Sequence, residues 1–115
     1  MAIRELKADE VEFTLECLEE DCAIEGNVMA SGDDAEDMKA ERWVQRQLEA
    51  GNSWAWCTAK VTAAWNGFEG TDYLGCCSYR SEKDFRKPGG YFDDMKVEAL
   101  ANLNELLAKA GELCE

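Results

Sequence analysis

The tryptophan-rich stretch WAWCTAKVTAAW, residues 54–65, limits the possible folds more than any other feature of the sequence. Its side chains alternate: Trp54 and Trp56 share one face with two threonines and a lysine, whereas the other face carries only Ala, Cys and Val. A period of two indicates a β-strand, because successive side chains of a strand point to opposite faces. The stretch therefore predicts a strand with helices lying close against its face of small residues.

The first half of the chain predicts a strand and a helix. Apolar residues alternate with Glu and Thr over residues 11–17, the pattern of a half-buried strand with an acidic face in water. Residues 18–32 lack a clean period and predict an irregular connection. Asp33 with Glu36 three positions later has capping-box spacing, and the helix that it opens should end at Gly51.

The second half predicts a β-hairpin, a short helical turn and a long helix. The segment NGFEGTD reads as a loop between the first hairpin strand and a second strand, YLGCCSYRS. The spacing of Ser81 and Asp84 predicts a helical turn over Phe85. Apolar residues then recur every three or four positions, as in an amphipathic helix. These are Phe92, Met95, Ala99, Leu103, Leu106, Ala110 and Leu113.

The order β-α-β-β-α predicts an α+β fold, a small antiparallel β-sheet with two helices packed on one face. With 115 residues, 46% of them hydrophobic, the chain can bury the core of a single compact domain spanning residues 1–115. No apolar run approaches the ~20 residues that span a bilayer, and the N-terminus lacks the apolar region of a secretory signal. We therefore expect a cytoplasmic protein that does not enter a membrane.

The residue types narrow the chemistry. The absence of histidine removes the commonest general base, the usual catalytic triad and mixed Cys/His zinc sites. The six cysteines lack the paired CxxC spacing of a four-cysteine zinc site, which favours reduced thiols used for packing. Phosphate-loop and EF-hand spacings are absent as well. We therefore expect a non-enzymatic protein with no catalytic residue, no metal site and no cofactor. The remaining alternative is a metal- or thiol-dependent enzyme, which metal analysis and thiol titration would test.

Charge is the strongest functional signal. The net charge is −13, and residues 9–41, defined here as the acidic segment, hold thirteen acids and one base, Lys39, giving −12. Direct nucleic-acid binding is disfavoured because phosphate contacts need basic residues. A basic protein partner is favoured through long-range attraction. The alternative interpretation is a solvated acidic face that only aids solubility.

Two rows of acids are the candidate binding residues. Asp33, Asp37 and Glu41 recur every four residues, so they line one edge of the predicted helix with a rise of ~6 Å between them. Capping explains Asp33 but not the other two, and like charges at this spacing cost a few tenths of a kcal/mol each. Glu12 and Glu16 form a second row on the first strand. Such rows could stand in for the phosphates of a nucleic acid, and Trp54 or Trp56 could add an apolar anchor.

The segments WAWCTAKVTAAWNGFEGTDYLGCCSY and GGYFDDMKVEALANLN resemble a family of small acidic proteins encoded by bacteriophages, prophages and mobile elements. The resemblance covers most of the chain from about Val11 to Asn104 and carries no catalytic motif. It implies a context in which small acidic proteins often inhibit restriction or CRISPR defence, some of them as nucleic-acid mimics.

Together these observations predict an acidic interaction protein, an anti-CRISPR or anti-restriction inhibitor in the host-cell cytoplasm. Its partner would be a basic nucleic-acid-binding protein of a host defence complex, bound through a mimic of nucleic-acid charge. The alternative is a structural or accessory phage domain that self-associates through the aromatic face of Trp54 and Trp56.

Overall fold

The computed structural model describes residues 5–28 and 31–113. Its elements are β1 (Glu12–Leu18), α1 (Asp34–Glu49), β2 (Cys57–Trp65), β3 (Phe68–Cys77), α2 (Glu82–Phe85) and α3 (Tyr91–Leu113), with short 3-10 turns at Ala8–Glu10 and Ser53–Ala55. The strands form one antiparallel sheet in the order β1-β2-β3. The predicted α+β class and the order β-α-β-β-α are confirmed, with the short α2 where Ser81 caps a single turn.

The face of small residues on β2 is buried, as its alternation predicts. β2 is the middle strand of the sheet, so both of its edges are hydrogen-bonded to neighbours. The residues of this face within β2 are each at most 1% exposed: Cys57, Ala59, Val61 and Ala63. Ala55 is equally buried, but the strand begins at Cys57 and not at Trp54, because Ser53–Ala55 form a 3-10 turn. Without long side chains on this face, other elements can approach the strand closely.

The turn of the hairpin between β2 and β3 is shorter than the sequence predicts. Only Asn66 and Gly67 separate the strands, and both have positive φ angles, 50° and 85°. Positive φ at both central residues is the geometry of a type I′ turn, which Asn-Gly favours and which matches the twist of the strands. The predicted loop NGFEGTD is therefore wrong beyond its first two residues, because β3 begins at Phe68.

The chain divides into two compact units. We name them the α3 unit, which comprises the described part of Met1–Glu16, Lys60–Tyr73 and Pro88–Glu115, and the α1 unit, which comprises Cys17–Ala59 and Leu74–Lys87. Each strand begins in one unit and ends in the other. The single domain expected from the length remains a prediction.

In the α3 unit, one stripe of α3 is buried. It consists of Phe92, Met95, Ala99, Leu103 and Leu107. The prediction of Leu106 is wrong, since Leu106 is 42% exposed and Leu107 is 2% exposed. Steps of three and four both keep a residue near one face of a helix, so spacing alone could not choose between these neighbours. Although α3 is 23 residues long, no helix among the described residues is long and apolar enough to cross a membrane.

Two contacts fix α3 within its unit. A Cβ placed on Gly70 of β3 would lie 2.7 Å from the Cα of Leu103 and would also contact the backbone of Ala99. The helix therefore crosses the strand at a point where only glycine fits. Asn104 accepts a hydrogen bond from the N–H of Leu6 (2.9 Å) and donates one to its carbonyl (3.2 Å), which anchors the N-terminal segment.

In the α1 unit, the core forms around Val44, Ala55 and Trp56. Partly buried hydrophobic residues surround it: Cys22, Ile24, Val28, Trp43 and Leu48. Trp43, Val44 and Leu48 lie on α1, where Val44 and Leu48 are four positions apart and so share one face of the helix. The core thus joins α1 to residues of the irregular connection before it.

Candidate functional site

The first acid of the helical row is a helix cap. Asp33 accepts hydrogen bonds from the backbone N–H groups of Ala35 (3.0 Å) and Glu36 (3.4 Å), as an N-cap residue does. The N–H of Asp33 donates to the hydroxyl of Ser31 (3.2 Å), so serine takes the place that Glu36 would have in a capping box. The predicted cap is confirmed, without the reciprocal bond of the box.

The other two acids of this row also serve the fold. Asp37 accepts hydrogen bonds from the N–H (3.1 Å) and the hydroxyl (2.8 Å) of Ser31, and Glu41 accepts one from the N–H of Gly26 (2.8 Å). Both side chains are half-buried. The premise that Asp37 and Glu41 have no local use is therefore wrong. They hold the preceding connection against α1 and satisfy backbone groups that α1 itself cannot satisfy.

Other carboxylates of the acidic segment within the α1 unit are exposed and make no side-chain hydrogen bond among the described residues. They are Glu19, Asp21, Glu25, Asp34 and Glu36, and we call them the surface acids. No ion pair is formed by any acid at positions 17–28 or 31–41. In the described part of the unit, no arginine or lysine side chain therefore pairs with these acids, and the negative charge of this surface is uncompensated.

The strand row lies in the α3 unit. Glu12 and Glu16 are exposed on β1, on the face expected from the alternation. Glu16 lies 4.0 Å from the ammonium group of Lys60 on β2, at the distance limit of an ion pair. An exposed pair at this distance contributes little to stability, so Glu16 is largely available to a partner.

The two tryptophans are buried, which corrects their predicted role as an exposed anchor. Trp54 is 8% exposed and stacks on Phe85, with ring centroids 5.0 Å apart. Trp56 is 6% exposed, and its indole N–H donates to the carbonyl of Cys22 (2.8 Å). Trp54 is part of the 3-10 turn before β2, whereas Trp56 packs in the core with Val44 and Ala55. The aromatic face needed for the proposed self-association is therefore not available at these residues.

A feature that the sequence interpretation missed lies at one end of the sheet in the α1 unit. The ligand atoms of Glu20, Cys22 and Cys76, one carboxylate oxygen and two sulfurs, all lie within 4.8 Å of one another. We call this group the carboxylate–thiol cluster. Cys22 is half-buried and Cys76 is exposed, so the cluster opens to solvent.

Three hydrogen bonds orient the carboxylate of this cluster. Glu20 accepts from the backbone N–H of Cys22 (3.0 Å), from the N–H of Cys76 (3.1 Å) and from the hydroxyl of Thr58. Gly75 lies beside it, and a Cβ there would be 3.4 Å from the nearer carboxylate oxygen, an ordinary van der Waals contact. The carboxylate therefore fixes the backbone at both cysteines and brings the two thiols together.

These contacts also set the protonation of the cluster. The hydrogen bonds, led by that of the Thr58 hydroxyl, hold the pKa of Glu20 below its usual value, so the carboxylate is ionised at neutral pH. The hydrogen bond with the Cys22 thiol is the main cause that raises the pKa of Cys76 to about 11, and the charge of Glu20 adds to it. Cys76 is thus a neutral thiol at pH 7 when no cation is bound.

A second group of cysteines, the thiol row, lies across the three strands. Cys17 on β1, Cys57 on β2 and Cys77 on β3 interact through their sulfurs, with Cys57 in the middle. The hydrogen bond with Cys77 and burial raise the pKa of Cys57. The adjacent residues Cys76 and Cys77 differ in burial, since Cys76 is exposed and Cys77 is buried. The thiol row fits the predicted use of cysteine for packing.

Comparison with protein-family profiles, with curated proteins and with solved structures found no match to this chain.

Proposed function

We propose that this protein is a non-enzymatic interaction protein whose surface acids bind a basic surface of a partner protein. The observation that carries the proposal is the group of exposed carboxylates in the α1 unit that form no ion pair among the described residues. Charges left unpaired in water create a long-range field that attracts a basic partner and speeds its association.

The acids of the α1 unit fall into two groups that make different contacts, and this difference supports the proposed function. Asp33, Asp37 and Glu41 are bound to backbone groups, so their charge is partly offset by the N–H dipoles that they accept. The surface acids make no such bond. Asp34 and Glu36 lie in the first turn of α1, where negative charge also suits the helix dipole, while Glu19, Asp21 and Glu25 lie outside any helix or strand. We therefore assign recognition to the surface acids and local structure to the row of three. Glu12 and Glu16 form a separate candidate contact in the α3 unit.

The partner that fits this chemistry is a basic nucleic-acid-binding protein. A groove that binds phosphates carries Lys and Arg, and clustered carboxylates offer it the same sign of charge that phosphates do. In a phage or mobile-element setting, which the resemblance implies, occupying such a groove would inhibit a host defence complex such as a CRISPR or restriction enzyme. The protein would then act in the host cytoplasm without contacting nucleic acid itself.

The experiment compares two variants of equal net charge. In the first, all surface acids are neutralised: E19Q, D21N, E25Q, D34N and E36Q. In the matched control, five exposed acids of the α3 unit are neutralised instead: E5Q, E69Q, D94N, E98Q and E105Q. Both changes take the net charge from −13 to −8, since each removes five negative charges. Circular dichroism checks that both variants fold.

Each immobilised protein is exposed to host lysate, and a captured basic nucleic-acid-binding protein is then purified for titration. We expect wild type and control to bind it with an affinity that falls steeply as salt rises, and the surface-acid variant to bind at least tenfold more weakly. Equal binding by the two variants, or binding that does not respond to salt, would refute the assignment.

A further inference from the structure

We propose that the carboxylate–thiol cluster is a binding site for a thiophilic divalent cation of the Zn²⁺ class, with Glu20, Cys22 and Cys76 as its three protein ligands. The proposal is independent of partner binding by the surface acids.

The spacing of the donor atoms is the first argument. Zinc bonds of ~2.3 Å to sulfur and ~2.0–2.2 Å to oxygen place the ligand atoms of a tetrahedral site roughly 3.5–3.8 Å apart. The three donors already lie within 4.8 Å of one another, so binding requires a contraction of about an ångström at most. Cys76 is exposed and Cys22 lies in an irregular connection, and rotation of these side chains can supply that movement.

The groups around Glu20 provide the second argument. A carboxylate that binds a metal is normally oriented by hydrogen bonds from its surroundings. Glu20 has three such donors, the Thr58 hydroxyl and the backbone N–H groups of the two proposed cysteine ligands. A carboxylate can accept about four hydrogen bonds, so one lone pair remains for a cation. None of these donors is a basic side chain that would repel it.

The backbone at the two cysteines is also held in place. The carbonyl of Cys22 accepts the hydrogen bond from the buried Trp56 indole (2.8 Å), which ties the irregular connection to the core. Cys76 has φ of 54°, in the left-handed region that is costly for most residues other than glycine. Such strain persists only where the surroundings impose it, and it concentrates at functional sites. Here it directs the N–H of Cys76 to Glu20.

The donor set selects the class of metal. Two thiolates favour zinc and its soft relatives over magnesium or calcium, which prefer oxygen ligands only. Binding of a divalent cation would release the protons of the two thiols, and the resulting two thiolates and one carboxylate would offset the charge of the ion. With three protein ligands and an opening to solvent, the fourth position of the ion is left for water or a ligand from outside.

The test uses the full chain, reduced with a phosphine and freed of metal with a chelator. Titration with Co²⁺ alone should produce the sulfur-to-cobalt charge-transfer absorption of a two-thiolate tetrahedral site, saturating at one ion per chain. Zn²⁺ alone should abolish this absorption by displacement. It should also protect Cys22 and Cys76 from alkylation by iodoacetamide, with the modified positions located by peptide mass mapping. Protection is measured on the wild type and needs no variant to fold.

The variants separate ligands from orienting groups. C22S and C76S should each lose the charge-transfer band, and E20Q should weaken Zn²⁺ binding more than tenfold, whereas E19Q at the adjacent exposed acid should bind as wild type does. T58V removes the orienting hydroxyl of Glu20. It should weaken affinity about 10- to 100-fold and leave the absorption at saturation unchanged, as expected for a positioning residue.

Two results would overturn the proposal. One is a cobalt band that persists in C22S and C76S but disappears in C57S, which would place the metal at the thiol row. The other is a reduced chain that takes up neither Co²⁺ nor Zn²⁺ at micromolar concentration while Cys22 and Cys76 form a disulfide in air. That outcome would make the cluster a thiol pair rather than a cation site.

Discussion

At the scale of single residues, the acids at the start of α1 differ in what they bind. Asp37 accepts two hydrogen bonds from Ser31 and Glu41 accepts one from Gly26, while the neighbouring Asp34 and Glu36 have exposed side chains. Sequence spacing predicted the cap at Asp33 because its acceptor role is local. It could not predict the roles of Asp37 and Glu41, because their donors come from a connection without periodic pattern.

This difference in hydrogen bonding between the two pairs of acids predicts the effects of alanine substitutions. D37A and E41A should each lower the free energy of unfolding by about 1 kcal/mol, since each leaves a backbone N–H without its acceptor. D34A and E36A should change it by less than about 0.5 kcal/mol, as is usual for exposed positions without such contacts. Urea denaturation at pH 7, monitored by tryptophan fluorescence, measures all four. Equal losses in the two pairs would show that the hydrogen bonds of Asp37 and Glu41 do not stabilise the fold.

At the scale of elements, the two glycines of β3 stand in different surroundings. A Cβ on Gly70 would meet the backbone of α3, with the Cα of Leu103 at 2.7 Å. A Cβ on Gly75 would meet only side-chain oxygens, the nearest at 3.4 Å, which is an ordinary van der Waals contact. Neither glycine has a positive φ, so the comparison isolates packing from backbone strain.

We therefore expect G70A to destabilise the protein by about 3 kcal/mol or more, at or beyond the upper end of overpacking in cores, because helix backbone must move. G75A, the matched control on the same strand, should stay within about 1 kcal/mol of wild type. Thermal unfolding by circular dichroism compares the two. A G70A variant as stable as G75A would mean that α3 does not lie against β3 as described.

The elements also show where sequence patterns were sufficient. The alternation on β2 predicted its buried face because period two assigns every side chain to a side of the strand. The start of β3 was misplaced because Gly70 resembled a loop residue, whereas its lack of a side chain admits α3. Burial of Trp54 and Trp56 was likewise hidden, since it depends on elements distant in sequence, such as Phe85 against Trp54.

At the scale of the whole molecule, the carboxylate–thiol cluster illustrates the limit of spacing arguments. Glu20 and Cys22 lie close in sequence, in the irregular connection after β1, but Cys76 follows more than fifty positions later, on β3. Zinc motifs are recognised in sequence by cysteines paired at short intervals. Here the Glu20 carboxylate joins the connection to the end of β3, and no short sequence interval relates these two segments, so the cluster emerges only from the folded structure.

The net charge of −13 gives the last prediction, which concerns the protein without a partner. Excess charge of one sign destabilises a folded chain through self-repulsion, and salt screens that repulsion. Raising NaCl from about 0.01 to 0.15 M, which shortens the Debye length from ~30 to ~8 Å, should raise Tm by roughly 4 °C, the shift expected for ~1 kcal/mol in a domain of this size. The surface-acid variant, at −8, should respond less.

The effect of salt on stability distinguishes a loss of partner binding from a loss of folding. Salt that weakens the attraction to a basic partner should at the same time make the free protein more stable, so lost binding at high salt cannot be attributed to unfolding. Scanning calorimetry of wild type and of the surface-acid variant across the same NaCl series measures the stability side. A wild-type Tm that falls as NaCl rises would mean that attractive ion pairs outweigh repulsion, contrary to the uncompensated surface on which the proposed recognition depends.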